Sequence, residues 1–119
     1  MMERDDVQKD RIHAVRQAVN DTHCTIVLKG RHTLIGAKRS EVWLNPTGDP
    51  SLSTAGTGDV LAGLIGAIVA RGIAADVAAA AGVYVHGLAG ERAGKRRPWG
   101  VVASDIVDAL PAAIASLRR

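Results

Sequence analysis

Gly56, Thr57, Gly58 and Asp59 form the stretch of this sequence whose residue types and spacing could do chemistry. A polar run rich in turn formers, Asn45-Pro46-Thr47-Gly48-Asp49-Pro50-Ser51-Leu52-Ser53-Thr54-Ala55, leads into it, and an apolar helical pattern follows. A glycine turn feeding a helix start is an anion site. Backbone N–H groups without helical partners, and the positive end of the helix dipole, face such a loop. A carboxylate placed there would repel an anion unless it had a task of its own. Phosphoryl transfer to an alcohol supplies one: Gly56, Thr57 and Gly58 would form the anion hole, and Asp59 would take the proton of the attacking hydroxyl. The plainer alternative is that Asp59 is a favourable acid in a first helical turn, worth about 0.3–1 kcal/mol. The shape of the motif does not separate the two.

Better-known phosphate motifs fail on this loop. A dinucleotide fingerprint needs glycine where Leu61 stands, a Walker A loop needs lysine where Leu64 stands, and a kinase-type loop lacks its third glycine. A second stretch, Lys29-Gly30-Arg31-His32-Thr33, follows a β-branched apolar run. Lys29 could contact a nucleotide phosphate, and Gly30 would admit a close backbone. From spacing alone, a strand-ending turn with a solvated lysine is the better account. His13, His23, His32 and His86 show no ligand spacing, so no metal site is expected. His86, inside an apolar helix, reads as a satisfied core or interface residue. Cys24 is alone, which excludes an internal disulfide and suits a reducing compartment.

These residues need elements to position them. Residues 5–20 predict an amphipathic helix capped by Asp5 or Asp6 and stopped at Asn20-Asp21, with Ile12, Val15, Ala18 and Val19 on one face. Short strands are expected at 25–28, buried on both faces, and at 33–35 and 41–44, the last two joined by a turn at 37–40. Strand order is not readable. Val60, Leu61, Leu64, Ile65, Ile68 and Val69 give the strongest helical pattern and read as core. Gly63 and Gly66 within it imply a close backbone approach, because glycine costs about 1 kcal/mol relative to alanine in a helix. Gly72 suits its C-terminus. A further helix would start at Asp76 and run to about Ala93, with a loop at 94–100. A last one would be capped by Ser104, and Pro111 would kink or restart it.

The resulting class is α/β, a layered sheet with few strands and several helices. Three short strands are too few to cover helices this apolar, so a partner chain or a missing part of the same protein is expected. The 119 residues fit one domain. Trp43, Tyr84 and Trp99 are the only aromatic residues, too few for a single-stranded nucleic-acid platform. The net charge of +3, concentrated around Lys95, Arg96 and Arg97, reads as solvated surface. Nothing resembles a signal peptide, and the longest apolar runs fall short of the roughly 18 residues of a membrane span. A cytoplasmic location without a membrane partner follows as the expectation.

Taken together, Leu28-Lys29-Gly30 with Thr33, Asn45-Pro46-Thr47-Gly48, and Leu52 through the Gly-Thr-Gly-Asp element to Gly63 resemble the ADP/ATP-dependent NAD(P)H-hydrate dehydratases. These are the carbohydrate-kinase-like domains of nicotinamide-nucleotide repair enzymes. His86-Gly87, Ala89-Gly90 and Ser104-Asp105 extend the likeness, which covers 11–117. The Gly-Thr-Gly-Asp element alone is shared with ribokinase-like kinases broadly. The resemblance implies the C-terminal half of a three-layer αβα ribokinase-like fold. It implies a lyase that uses ADP or ATP, with accompanying Mg2+, to phosphorylate the ring hydroxyl of hydrated NADH or NADPH and eliminate phosphate. It further implies that Lys29, Gly30, Arg31, His32, Thr33 and Gly58 bind the nucleotide and that Asp59 contacts the substrate and acts as base. Asp49 and Ser53 depart from the family's usual Asn and Ala. The chain is under half the family's domain length, so a homo-oligomer or association with an N-terminal half is expected. The alternatives are a ribokinase-like kinase of a vitamin-precursor alcohol and a non-catalytic remnant that binds ADP or assembles with partners.

Overall fold

The computed structural model describes residues 4–38 and 41–118. Its elements run α1 (Arg4–Thr22), β1 (Ile26–Leu28), β2 (Leu34–Gly36), β3 (Trp43–Leu44), a 3-10 turn (Pro50–Ser53), α2 (Thr57–Ala70), α3 (Ala75–Arg96) and α4 (Ala103–Ala115). Two compact units divide the chain, Met1–Asn45 and Pro46–Arg119.

In the first unit the strands form an antiparallel meander in the order β1-β2-β3, with Val27 opposite Ile35 and Ile35 opposite Trp43. β1 is half-buried, not covered on both faces as its apolar run suggested, whereas β2 is buried throughout. α1 lies against β1 and β2. Val15 and Val19 pack with Leu34, backed by Ile12, Ile26, Leu28 and Val42. Gly36 permits this approach, since a Cβ there would stand 2.3 Å from Cγ1 of Val15. α1 runs two residues past its expected stop. His23 ends it in the left-handed region (φ 58°), its N–H donating to the Val19 carbonyl at 2.8 Å. Asp5 and Asp6 fall inside α1, but their side chains are outside the described ones; of the expected 37–40 turn, residues 39 and 40 lie outside the described residues.

The second unit is helical. Ala89, Ala93, Ile106, Ala109 and Ala113 join α3 to α4, with Leu52, Val60 and Leu64 packed against them. Small residues dominate here, which lets the helix axes come close. Several expectations change. Gly63 and Gly66 have nothing within 4 Å of a would-be Cβ; the helix backbone that is approached closely is α3's. Of the α2 stripe only Leu61 is buried, and Val69 is exposed. α3 starts at Ala75 without a side-chain cap, so Asp76 sits within its first turn and accepts from the Val77 N–H. Its end lies at Arg96, beyond the expected loop start, and Gly94, inside the helix, lies close against Asp49. For α4 the N-terminal donor satisfied is that of Val102, which gives its N–H to Asp105 at 2.8 Å, and Ser104 falls inside the helix. Pro111 is accommodated within α4 and does not end it.

Candidate functional site

Asp59 stands in the first turn of α2 and is exposed. The turn before it depends on Gly56, whose φ of 89° is a left-handed conformation that side chains disfavour. This conformation turns the Gly56 carbonyl into the helix, where it accepts from the N–H groups of Asp59 (3.2 Å) and Val60 (3.3 Å). Thr57 is 2% exposed and points inward: its hydroxyl donates to the Leu52 carbonyl (2.5 Å), with the Thr54 carbonyl at 3.0 Å. Its N–H is also engaged, with the Thr54 carbonyl at 3.3 Å. Among the described residues, no acceptor takes the N–H of Gly56 or of Gly58. Within the expected trio Gly56, Thr57 and Gly58, the two glycines therefore offer donors, while threonine fastens the turn.

His86 completes the fastening from α3. It is buried, and its Nε2 lies 3.0 Å from the Thr57 carbonyl. The reading of His86 as a satisfied core residue holds. The loop leading in is seated on one edge of α3, where Gly87, Gly90 and Gly94 recur at helical spacing. A Cβ on these glycines would meet Thr47, Leu52 and Asp49, respectively, at under 3 Å. Thr47 donates its hydroxyl to the Tyr84 carbonyl at 3.0 Å, and Ser51 donates to that of Gly90 at 3.3 Å. Asp49 caps the 3-10 turn by accepting from the Ser51 N–H at 2.9 Å. Asp49, Ser51, Thr54, Gly94, Trp99 and Val101 contribute to an open cleft of about 520 Å3 beside this loop. Trp99 there is 90% exposed.

Lys29, Gly30, Arg31, His32 and Thr33 belong to the first unit, between β1 and β2. Lys29 and Arg31 are exposed. Thr33 gives its hydroxyl to the Gly30 carbonyl at 3.3 Å. The Arg11 guanidinium donates through Nη2 to the carbonyls of His32 (3.0 Å) and Leu28 (3.5 Å). Local spacing gave no signal for Arg11, because its partners lie 17 and 21 residues away. Among the described residues, no three His, Cys, Asp or Glu side chains group to hold a metal, and no helix is long and apolar enough to cross a membrane.

A small sheet followed by helices, with a glycine turn and an acid opening the first of them, is the architecture of carbohydrate-kinase-like domains. The solved ADP/ATP-dependent NAD(P)H-hydrate dehydratase from Bacillus subtilis, co-crystallized with ATP/Mg2+, superposes with a TM-score of 0.85 at 30% identity over 94% of this chain and 41% of its own. Bacillus subtilis YxkO superposes at 0.86 with 29% identity, over 98% and 44%. Residues 1–112 match the NAD(P)H-hydrate dehydratase family, and the chain belongs to that family. Its sequence is 38% identical to the bifunctional NAD(P)H-hydrate repair enzyme Nnr of Moorella thermoacetica, over 95% of this chain and 22% of that protein. It is 44% identical to the ADP-dependent (S)-NAD(P)H-hydrate dehydratase of Neisseria meningitidis serogroup B, over 71% and 29%. The chain thus spans about a fifth to a third of these curated relatives.

Proposed function

We propose that this chain carries the catalytic portion of a nucleotide-dependent NAD(P)H-hydrate dehydratase, with Asp59 as general base. The observation that carries the reading is the pair of N–H groups, Gly56 and Gly58, that meet no acceptor among the described residues, in the turn that leads into Asp59. Asp59 takes the proton from the hydroxyl of the hydrated nicotinamide ring as its oxygen attacks the terminal phosphorus of ADP or ATP. The Gly56 and Gly58 donors hold charge on the transferring phosphoryl, and Thr57 keeps the turn in register. The bond from phosphorus to the departing nucleotide breaks. Loss of phosphate and a ring proton then restores the double bond of NADH or NADPH. Lys29, Gly30, Arg31, His32 and Thr33 bind the nucleotide, and Mg2+ arrives with its phosphates.

A single domain of the ribokinase-like type is proposed, completed by the N-terminal half of the family domain. That partner is preferred to a homo-oligomer because the chain spans only 41–44% of the solved relatives, and α2 leaves Gly63 and Gly66 open. A cytoplasmic setting accompanies this reading. Hydrated NADH, ADP and the chain are mixed with and without that half, and recovered NADH is followed by absorbance. Turnover is expected, and Asp59→Asn should lower it about 10²–10⁴-fold while ADP binding persists. Undiminished turnover in Asp59→Asn would refute the base assignment. ADP binding without turnover in either mixture would leave the non-catalytic remnant as the better description.

A further inference from the structure

We infer that Arg11 is a positioning residue for the nucleotide turn at 29–33, an inference that rests on the nucleotide-binding reading of that turn. Three carbonyls at the turn are taken up from within: that of Leu28, just before it, and that of His32 by the Arg11 guanidinium, and that of Gly30 by the Thr33 hydroxyl. The turn's amides are not, since the N–H groups of Gly30, Arg31 and His32 meet no acceptor among the described residues. Nδ1 of His32 is also shielded from water without a partner. A turn with three successive amides left over, and the carbonyls of Gly30 and His32 held back, presents donors to an anion.

Arg11 is suited to this because a guanidinium offers donors in a rigid fork and accepts none, so it can hold two carbonyls without taking up the backbone amides left for an anion. Gly30 is the matching half of the device. A Cβ there would lie 2.6 Å from Nη2 of Arg11, so any side chain would push the guanidinium off its carbonyls. α1 thereby sets the conformation of a loop that it precedes in sequence. The glycine is required by the arginine beneath it and not by an unusual φ.

The test measures the Kd for ADP by calorimetry on the full chain, and the unfolding midpoint without nucleotide, for wild type, Arg11→Gln, Arg11→Lys, Gly30→Ala and the Arg11→Gln/Gly30→Ala pair. Arg11→Gln should weaken ADP binding about tenfold below its unfolding midpoint, and that nucleotide-free midpoint should fall as well, since hydrogen bonds from a charged group to two carbonyls are lost. Arg11→Lys should recover part of the loss. Gly30→Ala should weaken binding similarly, and the pair should bind no worse than the weaker single variant, because both changes break the same contact. Arg11→Gln binding like wild type, or losses that multiply in the pair, would overturn the inference. Should Arg11→Gln not fold, Gly30→Ala decides alone: wild-type affinity there overturns it. A wild-type chain that fails to bind ADP both alone and with the N-terminal half supplied refutes the nucleotide reading itself, and this is seen before any variant is compared.

Discussion

Thr57 and Gly56 shape the turn that opens α2 through a buried hydroxyl and a left-handed backbone. The Thr57 hydroxyl, bonded to the carbonyls of Leu52 and Thr54, is an anchor, and its loss would leave the part-buried Leu52 carbonyl without this donor, while that of Thr54 keeps the Thr57 N–H. Thr57→Val should therefore destabilise by about 1–3 kcal/mol, whereas Thr57→Ser, which keeps the hydroxyl, should fall well below that in urea unfolding. Gly56→Ala should destabilise by about 1–2 kcal/mol, because alanine resists φ near 89° and its Cβ would stand 3.2 Å from that of Ala103. At this scale Asp59 was legible, since glycines with an acid at a helix start form a local pattern. The inward turn of Thr57 was not, because a hydroxyl's partner is chosen by the folded loop. Arg11 was hidden for the same reason: contacts across 17 and 21 residues leave no mark on spacing.

Elements divide their glycines into two kinds that the sequence does not distinguish. Those of α3 are contact glycines. At Gly87 a Cβ would lie 1.9 Å from Oγ1 of Thr47 and 2.8 Å from its carbonyl carbon, so the loop would have to move. Gly87→Ala should destabilise by about 1–3 kcal/mol despite alanine's better helix propensity. Gly63 and Gly66 of α2 are open, and Gly63→Ala in this chain should stabilise by up to about 1 kcal/mol. Thermal unfolding of the two variants should place them on opposite sides of wild type. A common direction would refute the distinction. Helix existence was legible throughout the second unit because its apolar periodicity is strong. Helix starts were less so: Asp76 and Ser104 are good capping types, yet each falls inside a first turn. A propensity for caps competes with packing of the neighbouring loop, and packing prevailed.

For the whole molecule, the sequence supported a shortage of sheet, and the structure gives that shortage particular surfaces. α2 was expected to be core along Val60 to Val69, yet Val69 is 43% exposed, and Gly63 and Gly66 face open space. A helix that carries two glycines without a neighbour accepts a propensity penalty for which this chain provides no return. The proposed N-terminal half of the family domain supplies the return by packing on that face. Gly66→Leu discriminates. In the chain alone the leucine has room, so unfolding should be unchanged or improved by up to about 1 kcal/mol. Supplied with the N-terminal half as a separate chain, the variant should bind it at least about tenfold more weakly, since overpacking of about 1–3 kcal/mol is felt only where a neighbour sits. Titration calorimetry between the two chains reads the first effect, and recovered NADH reads its consequence. Equal binding by Gly66→Leu and wild type would place the partner elsewhere and leave the open glycines of α2 unexplained by association.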